Sequence, residues 1–451
     1  MRPKLPSKAR NEDLFRSRLD AIVDGRHELV RLAGLIDWAR FDAAFGGLYV
    51  DKTGRPGLPT RLMAGLHLLQ HAKGLSDDAV CAQWLENPYF QVFCGETYFQ
   101  HKLPLDRSSM TRWRARIGED KLEELLAETL MAAQKAKAVD AGKFERITID
   151  TTAQTKAVAH PTDSGLLLRA VEWLNRFARR HGLVLRQSFV RLASRARREV
   201  ARLIHTRGHK QALREVRRMR TFVGRLYRDI GRKIVGRPDL EAAFRPVAEP
   251  IARLLAQKAG DPNKLYALHA PEVECIAKGK ARTRYEFGVK ASFAVTNARA
   301  KGGQFIVGAQ ACPGLPYDGH TLQSQIAQVE RLTGATVERA YVDRGYRGHR
   351  LAAPQVYLSN TRGIASPTIK RELRRRSAVE PIIGHAKADG KLERHWLKGA
   401  QGDAINVILV AAGHNIRLLL AWLRIYCALI LTMLSAAPAR TSMTNDRLTF
   451  A

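Results

Sequence analysis

The stretch AYVDRGYRGH, residues 340–349, decides how the rest of this chain is read. A short apolar run ends in one carboxylate, Asp343. The chain then turns through Gly345 and Gly348 amid Arg344, Arg347, Tyr346 and His349. β-Branched and aromatic residues favour a strand, and the glycines let the following backbone approach a ligand closely. An acid pushed by a strand into so much positive charge is either an ion-pair partner, for Arg344 or Arg347, or the holder of a cation for chemistry on something anionic.

Composition favours an anionic partner. The 451 residues are enough for two or three domains. They carry 75 Lys and Arg against 43 Asp and Glu, a net charge of +32, and nucleic acid is the commonest polyanion for such a surface. The five cysteines, at 81, 94, 275, 312 and 427, form no CxxC pair. That argues for a reducing compartment and against a disulfide framework or zinc ribbon. His205 and His209 have a metal-like spacing but sit in a field of arginines, and read as solvated surface residues. The N-terminal MRPKLPSKARNEDLF lacks the apolar core of a secretory signal. The long apolar stretch 404–435 is broken by His414, Asn415, Arg417 and Arg424, so it reads as buried core helix and no membrane is expected. The expected location is the cytoplasm, in association with the nucleoid.

Residues 13 to about 135 read as helices. Leu62, Leu68 and Leu69 recur at helical spacing, and Ser76 with Asp77 forms an N-terminal cap signal. Asp106 or Ser108 caps a short helix that would expose Arg107, Arg112, Arg114 and Arg116, in the manner of a helix-turn-helix reading element. In KFERITIDTTAQTKAVAH (143–160), Phe144, Ile147 and Ile149 lead a strand into Asp150, expected at its end. From Arg169 to Asp239 there are 21 Lys or Arg against 5 Asp or Glu, with apolar residues at helical intervals. This is a helical segment with basic faces suited to phosphate contacts. Strand periodicity then returns, with turns at KGKA (278–281) and KGG (301–303). A helix ending at Gly334, the strand leading to Asp343, a short strand at GIASP (363–367) and helices from Glu372 to about Ser435 complete a mixed α/β pattern. The expected domains are a helical N-terminal DNA-binding domain (1–135), an α/β catalytic core (136–163 and 262–436), a basic helical insertion between its first and second strands (164–261), and a flexible tail (437–451).

Asp150, Asp343 and Glu380 are candidates to converge where strand ends meet helices. Each acid also has a structural reading: Asp150 in a turn, Asp343 with Arg344 or Arg347, Glu380 with Arg376 one helical turn away. Three converging carboxylates would repel unless a cation neutralised them, and hard oxygen ligands suit Mg²⁺ or Mn²⁺. Two such ions can serve an in-line phosphoryl displacement. Asp318 and His320 lie in a loop and either help the site or cap the next helix, the latter being the expected role.

IDTTAQ (149–154), AYVDRGYRGH (340–349) and RRRSAVEPIIGHAK (374–387) together resemble the three signature blocks of the DDE transposases of bacterial insertion sequences, in the insertion-sequence-five group. Residues 58–95 resemble the helical N-terminal domain of that group, and YDGHTL (317–322) is similar to one of its elements. The last block matches a Tyr–x2–Arg–x3–Glu–x6–Lys pattern at Arg376, Glu380 and Lys387, with Leu373 where the tyrosine would stand. The resemblance spans roughly 13–163 and 265–425. It implies a ribonuclease-H-like catalytic fold, with Asp150, Asp343 and Glu380 holding two Mg²⁺ or Mn²⁺ ions and Arg376 and Lys387 holding transposon-end phosphates. Arg344, Arg347, Arg112 and Arg114 are expected at the DNA. The implied partners are double-stranded DNA, as terminal inverted repeats and target, and further copies of the chain in a synaptic complex. The alternative is a DNA-binding protein that does not cut. Asp150 and Asp343 are 193 residues apart, a spacing that fits the fold once the basic segment is set aside as an insertion.

Overall fold

The computed structural model describes residues 17–49, 57–277, 284–361 and 366–435. The expected tail, the KGKA turn and most of GIASP fall outside them. Seven helices come first: α1 (Leu19–Ile22), α2 (Glu28–Leu35), α3 (Trp38–Gly46), α4 (Thr60–Lys73), α5 (Asp77–Glu86), α6 (Pro88–Phe93) and α7 (Ser108–Lys135). Their starts follow local chemistry. The side chains of Asp37, Ser76 and Asn87 accept from the first free amides of α3, α5 and α6. Gly118, at φ +76°, breaks α7 into two helical pieces.

The chain continues through β1 (Arg146–Thr155), then α8 (Asp163–Arg180), α9 (Val190–His205), α10 (His209–Ile234) and α11 (Pro238–Ala256). After these come β2 (Glu274–Ala277), β3 (Tyr285–Thr296), β4 (Ile306–Cys312), α12 (Asp318–Thr333), β5 (Arg339–Val342) and β6 (Gln355–Leu358). Helices α13 (Pro367–Arg374), α14 (Val379–Ala388) and α15 (Gly399–Ser435) end the described chain. The strand after β5 is β6, QVYL, eight residues before GIASP, whose own expected strand lies mostly outside the described residues. The last region is not helical throughout: residues 391–398 run between α14 and α15 without helix.

The six strands form one mixed sheet with β1 inside it. β1 pairs antiparallel with β3 and parallel with β5, and β5 pairs parallel with β6. The far edge of β3 carries β4 along Lys290–Val295 and β2 along Tyr285–Gly288. The four helices α8–α11 sit in the connection from β1 to β2 and bury their own apolar cluster, with Val171, Leu174, Met219, Val223 and Ile230 at its centre. Their basic positions are left outward: Arg179, Arg180, Arg191, Arg195, Arg198 and Arg214 are all exposed.

α15 explains the long apolar stretch. Within Gly399–Ile425, its most apolar 18-residue window is 83% buried inside the protein, and the helix packs against α4, α7 and β4. The polar residues that interrupt it tie it to its neighbours, His414 to the Gln304 carbonyl and Arg424 to Glu28 of α2. The Asn415 amide accepts from the Ile306 amide at 2.9 Å and donates to the Ile306 carbonyl at 2.8 Å, completing a rung on β4. Asn406 donates to Gln154 of β1, and Arg417 to the His71 carbonyl of α4. Gly413 is needed where α15 crosses α4, since a Cβ there would stand 2.7 Å from the His71 backbone.

Alternate residues of β1 and β5 face the segment 367–388. Arg146 and Arg339 are register partners, and both reach the buried Glu372 of α13, at 3.3 and 3.6 Å. Thr148 and Tyr341 are the next pair on this face. Tyr341 donates its hydroxyl to Glu372, and Asn297 links Thr148 to the Glu372 carbonyl. Removing one member of a buried charge network leaves the others uncompensated. Glu372→Ala is therefore expected to destabilise the protein by about 3 kcal/mol in urea unfolding, and Glu372→Gln, which retains Tyr341's acceptor, by less.

Candidate active site

The β1–β5 register leads directly to the acids. Ile147 pairs with Ala340 and Thr148 with Tyr341, so continuing the two chains by two residues sets Asp150 beside Asp343. Parallel neighbours lie roughly 4.8 Å apart. Asp343 keeps an extended backbone, φ −81° and ψ −179°, so it leaves β5 along the strand direction. The sequence expectation placed Asp150 at the end of its strand, but β1 runs on to Thr155 against β3. The strand that ends here is β5, and its end opens the space around Asp150.

Asp150 is pushed up to about 6, first by burial and next by Asp343, with Asp318 adding to the effect. Two contacts act the other way: the Arg376 guanidinium at 3.8 Å and the Thr151 amide donating at 2.8 Å. Gly345 completes the turn, because a Cβ there would lie 2.9 Å from Asp343 Oδ1 and 3.2 Å from Asp318 Oδ2. Its amide donates to Asp343 Oδ1 at 2.8 Å. The buried Tyr346 ring lies under the group, and its hydroxyl is held protonated by burial and by the charges of Asp150, Asp318 and Asp343.

Asp318 is the residue that sequence reading placed in the wrong role. It does not cap α12, where no side-chain cap bond is made. Its Oδ1 accepts from Thr151 Oγ1 at 3.0 Å and from Lys290 Nζ at 2.9 Å, tying α12 to β1 and β3 at the acid pair. The signal in the sequence was the YDGHTL element itself, which carries no local cue to what it faces.

Glu380 stands apart. α14 begins at Val379, so Pro381 falls in its first turn, where its missing amide is harmless. Glu380 points into solvent, one turn beyond Arg376, and Arg376 is the residue that meets Asp150. Among the described residues, no three acids, histidines or cysteines are grouped to hold a metal ion. Arg376 lies in the 3₁₀ turn Arg375–Ala378 ahead of α14, so the single-helix face expected for Arg376, Glu380 and Lys387 is interrupted. Lys387 reaches Glu286 of β3 at 3.5 Å. Arg344 and Arg347 are exposed on the turn after β5, Arg344 donating to the Asn360 carbonyl at 3.4 Å.

Of the four arginines expected to be exposed on a DNA-facing helix, Arg107, Arg112 and Arg116 are outward and Arg114 is inward. Arg112 is 67% exposed. Arg114 is 5% exposed and forks onto Asp77, at 3.1 and 2.6 Å, locking α7 to α5. Its Nη1 also meets His67 Nε2 at 3.2 Å. Burial holds His67 down at about 3, so this ring is neutral. With Nδ1 donating to the Met63 carbonyl, Nε2 is free to accept from Arg114. Arg114 is thus a buried clamp within the helical domain and offers no fork to a phosphate.

Residues 17–116, from α1 into the first part of α7, match the family model described as Transposase domain (DUF772). Over that span the chain is similar to a transposase domain. A 207-residue span, 46% of the chain, is 54% identical to the uncharacterized protein ORF8 in the nfe locus of Rhizobium meliloti and covers 99% of that protein. No solved structure matches. The family match ends two residues before the break at Gly118. The transposase domain is therefore the helical unit that Arg114 clamps, and DNA is the partner class that the family implies.

Two measurements test this geometry. The folded pKa of Asp150 lies above its ordinary value of 3.8, so its carboxyl favours the fold at low pH, and that contribution is lost as pH rises from about 4 to about 6. In chelator, Asp150→Asn should exceed wild type in unfolding free energy by about 2–3 kcal/mol at pH 7.5 and by almost nothing near pH 3.5. An equal gain at both pH values would contradict the assignment. Separately, Arg114→Ala should lower stability by about 3 kcal/mol by stranding Asp77, whereas Arg112→Ala should change it by less than about 0.5 kcal/mol.

Proposed function

We propose that this chain is a DDE transposase that cuts at the ends of its mobile element and joins the freed 3′-hydroxyls to target DNA. The observation that carries the reading is the register-matched pair Asp150 and Asp343, half-buried and short of neutralising charge. The strand arrangement supports a ribonuclease-H-like core: β1 sits between an antiparallel neighbour and two successive parallel ones, and the basic helices interrupt its first connection.

The donor chemistry fits Mg²⁺ or Mn²⁺. Two aspartates side by side present hard oxygens, and the raised pKa of Asp150 marks a carboxylate that gains from a cation. Glu380 begins about one helical pitch, roughly 5.4 Å, from the residue already touching Asp150, within reach of a long side chain. When bound, two such ions supply Lewis-acid stabilisation of charge on the phosphate oxygens. The chain's own residues do the rest. Asp150 and Asp343 fix the reacting phosphate's position from the sheet, with Glu380 closing from α14. Arg376 leaves Asp150 for a phosphate oxygen, as its planar fork suits. Lys387, Arg344 and Arg347 line the approach as point charges and forks for the backbone. Lys290 and Thr151 hold Asp318 at the edge of the pair, where it orients the Asp343 turn. Further copies of the chain would bring two ends together.

One observation favours the rival reading, a DNA-binding protein that does not cut: the third acid is solvent-exposed in this arrangement. Cleavage separates the two. The full chain should nick end-containing duplex in Mg²⁺ or Mn²⁺ and stop in chelator. Asp150→Asn, Asp343→Asn and Glu380→Gln should each lose roughly 10²–10³-fold in rate or more, with duplex affinity within about threefold. Tight duplex binding by wild type without any metal-dependent cutting would establish the rival.

A further inference from the structure

The loop between α14 and α15 carries an alternation that the site above does not use. In Arg394-His395-Trp396-Leu397-Lys398, burial alternates residue by residue, after a left-handed bend at Arg394, φ +57°. Arg394, Trp396 and Lys398 are exposed, His395 is buried and Leu397 is half-buried. Trp396 is 78% exposed, the largest exposed aromatic side chain among the described residues.

The segment beneath is fixed. His395 donates its amide to the Thr155 carbonyl at 3.1 Å and accepts from the Ala157 amide at 3.0 Å, forming a parallel bridge with the end of β1. The Arg394 amide donates to Thr155 Oγ1 at 3.0 Å. Below, the buried His395 ring lies 2.8 Å from Asp403, which also holds Lys156 at 3.0 Å, and Lys156 reaches Glu272. An indole left in water by a backbone tied this firmly is presented, not merely exposed.

Behind the loop is a cleft of about 1020 Å³, walled on the other side by Asp77, Asp78 and Thr111 of the transposase domain. Two of its acids are already matched, Asp77 by Arg114 and Asp78 by Arg107 at 3.3 Å. Glu393 is exposed but falls out of phase with the outward row.

We propose that Arg394, Trp396 and Lys398 form a contact for unpaired single-stranded DNA, with one base stacked on the indole and a phosphate met by a cation on each side. Trp396 and Lys398 alternate on the part that runs on from the bridge at His395, with side chains roughly 6.7 Å apart, and Arg394 stands at the bend before it, at φ +57°, which suits a stretched strand. A duplex keeps its base faces covered and cannot offer one to Trp396. The bridge at Thr155 lies five residues along β1 from Asp150, roughly 17 Å, so a strand opened at the acids has a path to it. This inference rests on the reading of the chain as a DNA-cutting transposase.

The test uses the full chain with three probes at one salt concentration: a 20-nucleotide oligothymidylate, a blunt 20-base-pair duplex, and that duplex with a single-stranded tail. By anisotropy, Trp396→Ala should weaken single-strand binding roughly 5- to 150-fold, the range expected for one stacked base, with blunt-duplex affinity within about twofold. Trp396→Phe should retain most of the affinity, and the tailed duplex should lose its advantage over the blunt one only in Trp396→Ala. Arg394→Ala with Lys398→Ala should flatten the single-strand salt dependence by a slope of about 1.4. Equal single-strand affinity in wild type and Trp396→Ala would overturn the proposal. So would a changed sedimentation coefficient in Trp396→Ala with single-strand affinity intact, which would assign the indole to an interface between copies. Wild type that binds and nicks duplex but ignores the oligothymidylate defeats this inference alone. Wild type that binds no DNA defeats the functional reading with it.

Discussion

The structure depends on the register between β1 and β5. A parallel pair shifted by one residue would turn Asp343 to the opposite face from Asp150, and the acids would never share a low-dielectric space. That register is over-determined. Glu372 gathers Arg146, Arg339 and Tyr341 from both strands into one buried network, and Asn297 adds Thr148. The same face that is locked by charge at one end is left under-compensated at the other, where Arg376 alone approaches Asp150. A stable anchor and a strained site are therefore consecutive steps along one pair of strands.

This arrangement also accounts for the position of the basic helices. β1 and β3 are neighbours in the sheet although more than a hundred residues separate them in sequence, so whatever fills that connection must bring its two ends back together. Loop entropy grows slowly with length, and a segment with its own apolar cluster is already folded into a short end-to-end span. α8–α11 meet that condition through Val171, Leu174, Met219 and Ile230. Their arginines remain outward, because a basic helix that had to pack on the sheet would bury uncompensated charge.

What could be read in the sequence was whatever is specified locally. The cap at Ser76, the left-handed stop of α12 at Gly334, and the strands that lead to Asp150 and Asp343 all stand where their residues imply, whereas Asp318 and His320, expected in a loop, are in the first turn of α12. The polar residues of α15 are compatible with a core helix because neighbouring elements meet them: Asn415 bonds β4, Arg417 α4, His414 the Gln304 carbonyl and Arg424, at the exposed end, Glu28 of α2. What was hidden depends on distant partners. QVYL carries the same strand propensity as many loop segments, and only the exposed edge of β5 makes it β6. Arg114 and Arg112 are indistinguishable in sequence, two residues apart on one helix, until the phase of α7 against α5 turns one onto Asp77. Asp318 has every local mark of a helix cap, and it is Lys290, twenty-eight residues away, that draws it to the acids.

The exposed position of Glu380 follows from the same physics. Asp150 and Asp343 are held by strands and cannot separate, so their repulsion is relieved by drawing in a cation, and the nearest tethered one is Arg376. Adding a third carboxylate without further positive charge would raise that repulsion, so α14 leaves Glu380 in water. In the proposed metal-bound state, charge supplied from outside would reverse both preferences: Arg376 would no longer be needed at Asp150, and Glu380 would gain by turning inward. Arginine and glutamate one turn apart can exchange places by side-chain rotation, with α14 kept against β1 by the buried Val379, Ile382 and Ala386. On the proposed reading, the sequence step from Arg376 to Glu380 is the spacing that would let one site be neutral in two different ways.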